Sequence, residues 1–395
     1  EDLDAALTRL ADAEREQGFD LAQAPLLRLT LARTGDDRYQ LIYTSHHILL
    51  DGWSNSQLLG EVLQHYAGQA VHSLNGRYSD YIGWLQRQDK RVSEAFWRTQ
   101  FATLDEPTWL SRALKCAATG QSGQGEFKWR LDAAITEQLH GFARQQKVTL
   151  NTLVQAAWLL LLQRYTGHDS VTFGATVAGR PTQLQGIEQQ IGLFINTLPV
   201  VARPEPQQAL ADWLQTVQGI NLALRDHEHS ALSDVQRWAG QGGDGLFDTL
   251  LVFENYPVSE ALLQGGVSDL HFGDVHSHEQ NNYPLTLSVS TGADLLLHYS
   301  YDAAQFSAEC IAQVASQLAH LLAQMADGSP QRCLGELKLF EEGRQRAPVQ
   351  DWGMAAGEYP SLAPAHVLFE QQARRVPNHT ALITETTELT YAQLN

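Results

Sequence analysis

The chain has 395 residues, with 45 acidic against 27 basic side chains and a formal net charge of −18. That balance argues against a polyanion such as nucleic acid as the main partner. Hydrophobic content of 43% suits a soluble globular chain with ample core, and no apolar run approaches the roughly 20 residues that span a bilayer. The longest tempting stretch, Ala156–Leu162, is flanked by Gln155 and Gln163 and reads as a buried helix. The acidic start Glu1-Asp2-Leu3-Asp4 is no signal peptide, and the missing initiator Met suggests an excised piece. Cys116, Cys310 and Cys333 lack CxxC spacing, so a reducing, cytoplasmic setting fits.

Hydrophobic periodicity predicts the elements in order. Residues 3–17 read as an amphipathic helix and Pro25–Leu31 as a strand. The turn Gly35-Asp36-Asp37 leads into a second strand, Gln40–Thr44. Then comes His46-His47-Ile48-Leu49-Leu50-Asp51-Gly52-Trp53, followed by a helix with Leu58, Leu59, Val62, Leu63 and Tyr66 on one face. Tyr- and Trp-rich helices run to about residue 103, and 104–125 reads as a linker. A second unit opens near Phe127. Its first helix groups Ile135, Leu139, Phe142 and Ala143, and its second runs from Leu150 to Tyr165, with Gly167 suited to the C′ position. Strands follow at 170–177, 195–202 and 249–253, then a hairpin of 285–290 and 295–301 turning at Thr291-Gly292. A long helix spans about 307–327, and 341–364 has linker composition. Mixed strands and helices predict an α+β fold.

The His pair sits where period 2 gives way to period 3.6, at a strand end, with Gly52 in the turn and Ser54 as the candidate N-cap. Neighbouring strand residues face opposite ways, so one His should face a cleft and the other the core. Imidazole is the natural side chain for moving protons at neutral pH. For the same geometric reason His46 and His47 cannot both ligate one ion, and no metal site is expected. Asp226-His227-Glu228-His229 and His276-Ser277-His278-Glu279 look metal-like in composition but read as solvated loops.

This motif resembles the HHxxxDG signature of condensation domains from nonribosomal peptide synthetases, of the chloramphenicol-acetyltransferase-like superfamily. Further segments match in order: Tyr78-Ser79-Asp80-Tyr81-Ile82-Gly83-Trp84 (YxDYxxW), Gly179-Arg180-Pro181, and Ile191–Pro199 (IGxFxNTLP). Leu246-Phe247-Asp248-Thr249, Phe253–Pro257 and Asn282-Tyr283-Pro284-Leu285 also look like the family.

The resemblance implies two lobes in a V-shaped arrangement, the first incomplete, with a tunnel between them. The divisions expected are 1–103 (partial N-terminal lobe), 104–125 (linker), 126–340 (C-terminal lobe), 341–364 (linker) and 365–395. In the last of these, Val367–Pro377 and Leu389–Asn395 resemble the opening of an adenylation domain. The implied reaction is amide formation. An acceptor amine attacks a donor acyl or peptidyl thioester, and both substrates ride on phosphopantetheine arms of partner carrier domains with no cofactor bound.

Carried over by resemblance, His47 takes the proton or positions the amine, His46 packs inside, and Asp51 orients the turn. The Gly52 N–H is an oxyanion-donor candidate. Family members supply an Arg to the motif's Asp from a stretch upstream of the motif. Only 45 residues precede His46, so Asp51 is expected to be unpartnered, water-solvated or protonated. A non-catalytic, carrier-binding fragment is the alternative reading. Epimerisation domains share the motif, but the adenylation-like tail favours condensation. Heterocyclisation domains replace the His pair with Asp. The spellings His46–Ser54, Leu246–Thr249, Glu254–Pro257 and His229 through Gln236–Gly240 resemble the subtype that joins a D-configured donor to an L-acceptor.

Overall fold

A computed structural model describes residues 3–69, 76–114, 122–240, 245–254, 270–273, 278–279, 281–340, 365–384 and 387–395. Asn255-Tyr256-Pro257, His276-Ser277, Cys116 and the expected linker 341–364 lie outside the described residues. Two compact units emerge, Glu1–Leu339 and Phe340–Asn395.

The first unit begins with α1 (Leu3–Glu16) and an antiparallel pair, β1 (Leu27–Arg33) and β2 (Tyr39–Ser45). Glu14 anchors α1 to this pair: Arg28 Nε donates to Glu14 Oε2 at 3.0 Å and Thr30 to Oε1 at 2.9 Å. These bonds hold the Glu14 carboxyl below its usual range. The opposite face of the pair, with Leu29, Leu31 and Leu41, is exposed at 62%, 64% and 52%. Helices α2 (Gly52–Tyr66), α3 (Tyr78–Gln86) and α4 (Lys90–Phe101) follow.

The stretch read as a linker is structured where it is described. Helix α5 (Leu110–Leu114) lies inside it, and the strand β3 (Gln124–Leu131) starts within it. Asp248, buried 138 residues away in sequence, accepts from the N–H groups of Leu110 and Ser111 at 2.9 and 2.8 Å. A cap supplied from so far along the chain leaves no local signature, so periodicity does not reveal this helix.

β3 is the edge of a six-stranded mixed sheet with β8 (Leu295–Asp302), β7 (Leu285–Thr291), β6 (Thr249–Glu254), β4 (Val171–Val177) and β5 (Asn196–Ala202), in the order β3-β8-β7-β6-β4-β5. Helices α6 (Ala133–Gln146), α7 (Leu150–Thr166), α8 (Leu210–Arg225), α9 (Leu232–Trp238) and α10 (Ala308–Asp327) complete the unit. Local chemistry sets several ends. Thr149 and Ser307 cap α7 and α10, and Gly167 closes α7 at φ 72° in the left-handed region.

One face of the sheet is apolar. Leu285, Leu287, Val289, Leu295, Leu297 and Tyr299 join the α6, α7 and α10 side chains in a single buried core. The alternate residues Ser288, Ser290, His298 and Ser300 point the other way and stay partly accessible, as period-2 geometry requires. The sheet therefore has one packed face and one polar face.

Cys333 is free, whereas Cys310 is disulfide-bonded, a bridge that the cysteine spacing does not suggest. No helix among the described residues is long and apolar enough to cross a membrane. The second unit comprises α11 (Ala365–Arg375), the antiparallel pair β9 (Thr380–Ile383) and β10 (Glu388–Thr390), and α12 (Tyr391–Leu394). Thr390 and Gln393 form a capping box at the start of α12.

Candidate active site

The HHxxxDG segment forms the turn from β2 into α2. β2 ends at Ser45, so both histidines lie just beyond the strand, and strict alternation does not govern them. His46 is half-buried rather than in the core. Its Nδ1 accepts the Ile48 N–H at 3.1 Å, and its ring meets Phe19 edge-on at 6.3 Å. It thus braces the turn. His47 is exposed.

Asp51, not Ser54, is the N-cap of α2: its Oδ1 accepts the Ser54 N–H at 2.7 Å. Gly52 is the first helical residue. Its N–H belongs to the first turn, where donors have no intrahelical acceptor.

Asp51 is not left without a partner. Arg180 Nη2 donates to Asp51 Oδ1 at 3.1 Å and Oδ2 at 3.4 Å, and to Ser54 Oγ at 2.8 Å. The Phe194 N–H donates to Asp51 Oδ2 at 3.0 Å. The pair is deeply buried, with side-chain exposures of 7% for Arg180 and 0% for Asp51. The expectation of an unpartnered or water-solvated Asp51 is therefore overturned. The Arg comes from the Gly179-Arg180-Pro181 turn, a segment visible in the sequence but not connected there with Asp51. Burial pushes the Arg180 guanidinium down from its usual range, and the neighbouring Asp51 carboxylate pulls it back up.

Arg180 has further work on the loop below the motif. Its Nη1 donates to Ile187 O at 2.6 Å and Gln190 O at 3.0 Å, and its guanidinium lies 4.1 Å from the Phe194 ring centre. Ser54 Oγ donates to Gly192 O at 2.8 Å and accepts the Gly192 N–H at 3.1 Å. The Asp51 N–H donates to Gly192 O at 3.1 Å, and Trp53 Nε1 to Glu188 O at 2.8 Å. Residues 187–194 thus form a floor bonded to the catalytic-type turn through backbone and side chain.

The YxDYxxW helix packs on this same floor. Tyr78 Oη donates to Leu193 O at 2.7 Å, and Tyr81 and Phe194 share a small apolar cluster with Ile187. Burial pushes the Tyr81 hydroxyl up to about 12, so it stays protonated at neutral pH. Gly179 adopts φ 61°, and a Cβ there would sit 1.8 Å from Phe194 O. Gly179→Ala is therefore expected to destabilise the protein by at least about 2 kcal/mol, since left-handed strain and the clash add. A denaturant midpoint unchanged from wild type would contradict this.

The two metal-like clusters are resolved differently. His227 stacks on Phe96 at 3.9 Å, Glu228 accepts the Gly179 N–H at 3.1 Å, and His229 lies 3.1 Å from Ser93 Oγ. That segment is packed rather than a solvated loop. Burial lowers the pKa of both His227 and His229 and raises that of Glu228. His278, from the second cluster, lies 2.7 Å from Glu126 on β3. Among the described residues no group of three or more His, Cys, Asp or Glu is arranged to hold a metal ion.

A buried Asp51–Arg180 pair fixes a turn on which His47 is exposed, in a unit whose largest sheet is mixed and flanked by helices. That is the chloramphenicol-acetyltransferase-like fold. The profile of the condensation-domain family matches residues 1–347, and the chain belongs to that family. Condensation domains are acyltransferases that form amide bonds in nonribosomal peptide synthesis.

A linear gramicidin synthase of Brevibacillus parabrevis is 40% identical over 99% of the chain, which spans 8% of that protein. Bacitracin synthase 3 of Bacillus licheniformis is 32% identical over 98% of the chain, which spans 6% of it. Among solved structures, a four-domain nonribosomal peptide synthetase bound to AMP and glycine superposes with TM-score 0.72 at 20% identity, covering 99% of this chain and 31% of that one. The first condensation domain of the calcium-dependent antibiotic synthetase, bound to a substrate analogue, gives TM-score 0.67 at 20% identity, covering 86% of this chain and 78% of that one.

Proposed function

We propose that this chain joins two carrier-bound substrates, forming a peptide bond in nonribosomal peptide biosynthesis. The observation that carries this reading is the HHxxxDG turn itself, with Asp51 locked to Arg180 and His47 left accessible. An accessible imidazole on a rigid turn is what general-base removal of an ammonium proton needs. His47 takes that proton. The freed amine then attacks the donor thioester carbon, the C–S bond breaks, and the thiolate leaves protonated. Gly52 offers its N–H to the oxyanion, Asp51 orients the turn, and His46 braces it.

Both substrates arrive on phosphopantetheine arms of a donor and an acceptor carrier domain, with no cofactor bound to this chain. We place the domain limits at 1–103, 104–125, 126–340, 341–364 and 365–395, the 104–125 connection carrying α5 and running into the first residues of β3. Residues 365–395 open an adjoining adenylation domain, and ATP-dependent loading beside this chain fits a cytoplasmic setting. The exposed apolar face of β1 and β2 supports a further reading, that an upstream segment of the parent chain covers Leu29, Leu31 and Leu41.

The sequence spelling supports a D-configured donor and an L-acceptor. Inverting one α-carbon exchanges side chain and hydrogen at the pocket wall, a packing difference of about 1–3 kcal/mol. The test loads the donor carrier separately with D- and L-aminoacyl groups and follows transfer to the acceptor carrier. The D-donor should react roughly 10-fold faster or more. Faster L-transfer would defeat the stereochemical reading, and no transfer from either would defeat the function.

A further inference from the structure

The first histidine of the motif is held by its N–H, its carbonyl, its ring nitrogen and its ring surface, and the last of these contacts is an aromatic ring from outside the motif. The His46 N–H donates to Leu26 O at 3.0 Å, continuing the β1–β2 pairing past Ser45. Its carbonyl accepts the Leu49 N–H at 3.1 Å, closing a turn over residues 46–49. Its ring Nδ1 accepts the Ile48 N–H at 3.1 Å. Main chain and side chain of His46 thus both bind the turn in which His47 is the first corner. The outside ring is Phe19, whose centre lies 6.3 Å from that of the His46 ring at an interplanar angle of 89°.

Phe19 is itself held. It follows Gly18 just beyond α1, and Arg28 of β1 ties this stretch down. Arg28 Nη1 donates to Gly18 O at 2.7 Å, Nη2 to Glu14 O at 2.6 Å and Nε to Glu14 Oε2 at 3.0 Å. The same guanidinium lies 4.2 Å from the Phe19 ring centre, a cation–π contact. A run of contacts therefore leads from Glu14 through Arg28 and Phe19 to His46 and the Ile48 N–H. The turn needs such a brace because an imidazole rotates readily about χ2, whose wells are broad and two-fold. Half a rotation would put a ring C–H where Nδ1 now sits and leave the Ile48 N–H without its acceptor. The bond also fixes the tautomer: Nδ1 accepts, so the ring proton sits on Nε2.

We propose that Phe19 is a positioning residue for condensation: clamped by Arg28, it fixes the plane of the His46 ring, so that Nδ1 keeps the Ile48 N–H and the turn presents His47 in one orientation. This rests on His47 acting in the reaction. The effect of Phe19 passes through His46, whose ring and carbonyl close the turn on either side of His47. Misplacing a reacting group by about 1 Å can cost about 10²-fold in rate. A loosened 46–49 turn is therefore felt in the rate at saturation rather than in substrate binding.

The test uses the synthetase containing this chain, with its loaded carriers, and compares wild type, Phe19→Leu, Phe19→Tyr and His47→Ala. Leucine keeps apolar bulk but removes the ring, whereas tyrosine keeps the ring. Phe19→Leu should lower the rate at saturating acceptor about 10-fold with half-saturation unchanged, and Phe19→Tyr should stay within about 3-fold of wild type. Amide hydrogen exchange read by mass spectrometry reports on the turn itself. In Phe19→Leu the Ile48 and Leu49 amides should exchange about 5- to 10-fold faster, while the floor at 187–194 keeps its wild-type rates. An unimpaired Phe19→Leu enzyme would overturn the proposal, as would equal losses in the leucine and tyrosine variants. Exchange that rises alike in the turn and the floor would mean a merely structural role and would overturn it too. So would a slowed Phe19→Leu enzyme whose Ile48 and Leu49 amides exchange as in wild type. Undiminished condensation by His47→Ala would instead overturn the reading of His47, and the exchange rates would still decide whether Phe19 holds the turn.

Discussion

Arg180→Ala is expected to cost about 3–5 kcal/mol of stability, because it strands a fully buried carboxylate. Asp51 would keep the Ser54 and Phe194 N–H bonds but lose the only cation shown bonded to it among the described residues. Three backbone and side-chain acceptors, Ile187 O, Gln190 O and Ser54 Oγ, would lose their donor as well. Arg180→Lys should do little better. A lysine keeps the charge but cannot serve Asp51, Ser54 and two carbonyls from one planar fork. Urea denaturation measures the cost, and a loss below about 1 kcal/mol would show that the pair does not hold the turn.

His47→Ala should remove about 10²- to 10⁴-fold of the condensation rate while leaving the fold intact. The side chain is exposed, so its loss opens no cavity in the core. Carrier loading and the thermal midpoint should match wild type. Condensation within a few-fold of wild type would take His47 out of the chemistry.

Much of the fold is legible in the sequence because it is built from local periodicity. β8 alternates buried and half-buried residues throughout and β7 does so from Leu287 to Ser290, and α7 and α10 carry continuous apolar faces, so their ends follow from the pattern to within a few residues. Elements set by distant partners are not legible. Helix α5 depends on Asp248, and β3 hides in a stretch whose glycines and proline suggest a linker.

The site divides the same way. The motif announces His47 and Asp51, but not what they touch. Asp51 looks bereft when its Arg is sought upstream, whereas Arg180 reaches it from 129 residues downstream. Gly179-Arg180-Pro181 carries the signal: a glycine at positive φ beside a buried Arg points to a tight approach between segments. The polar sheet face has a fainter signal, the alternation of Ser288, Ser290, His298 and Ser300 with core residues. Only the register shows that it gathers Glu126, His298 and Glu254 on one side.

The most direct measurement is the mass of the acceptor carrier after a single turnover. Donor and acceptor carriers are loaded with distinguishable aminoacyl groups and mixed with the synthetase containing this chain, alongside its His47→Ala variant. The acceptor arm should gain the mass of the donor residue, with the donor arm returned as free thiol, and the variant should show little of either. An acceptor arm of unchanged mass with the wild-type protein, or equal gain with the variant, would contradict condensation through His47.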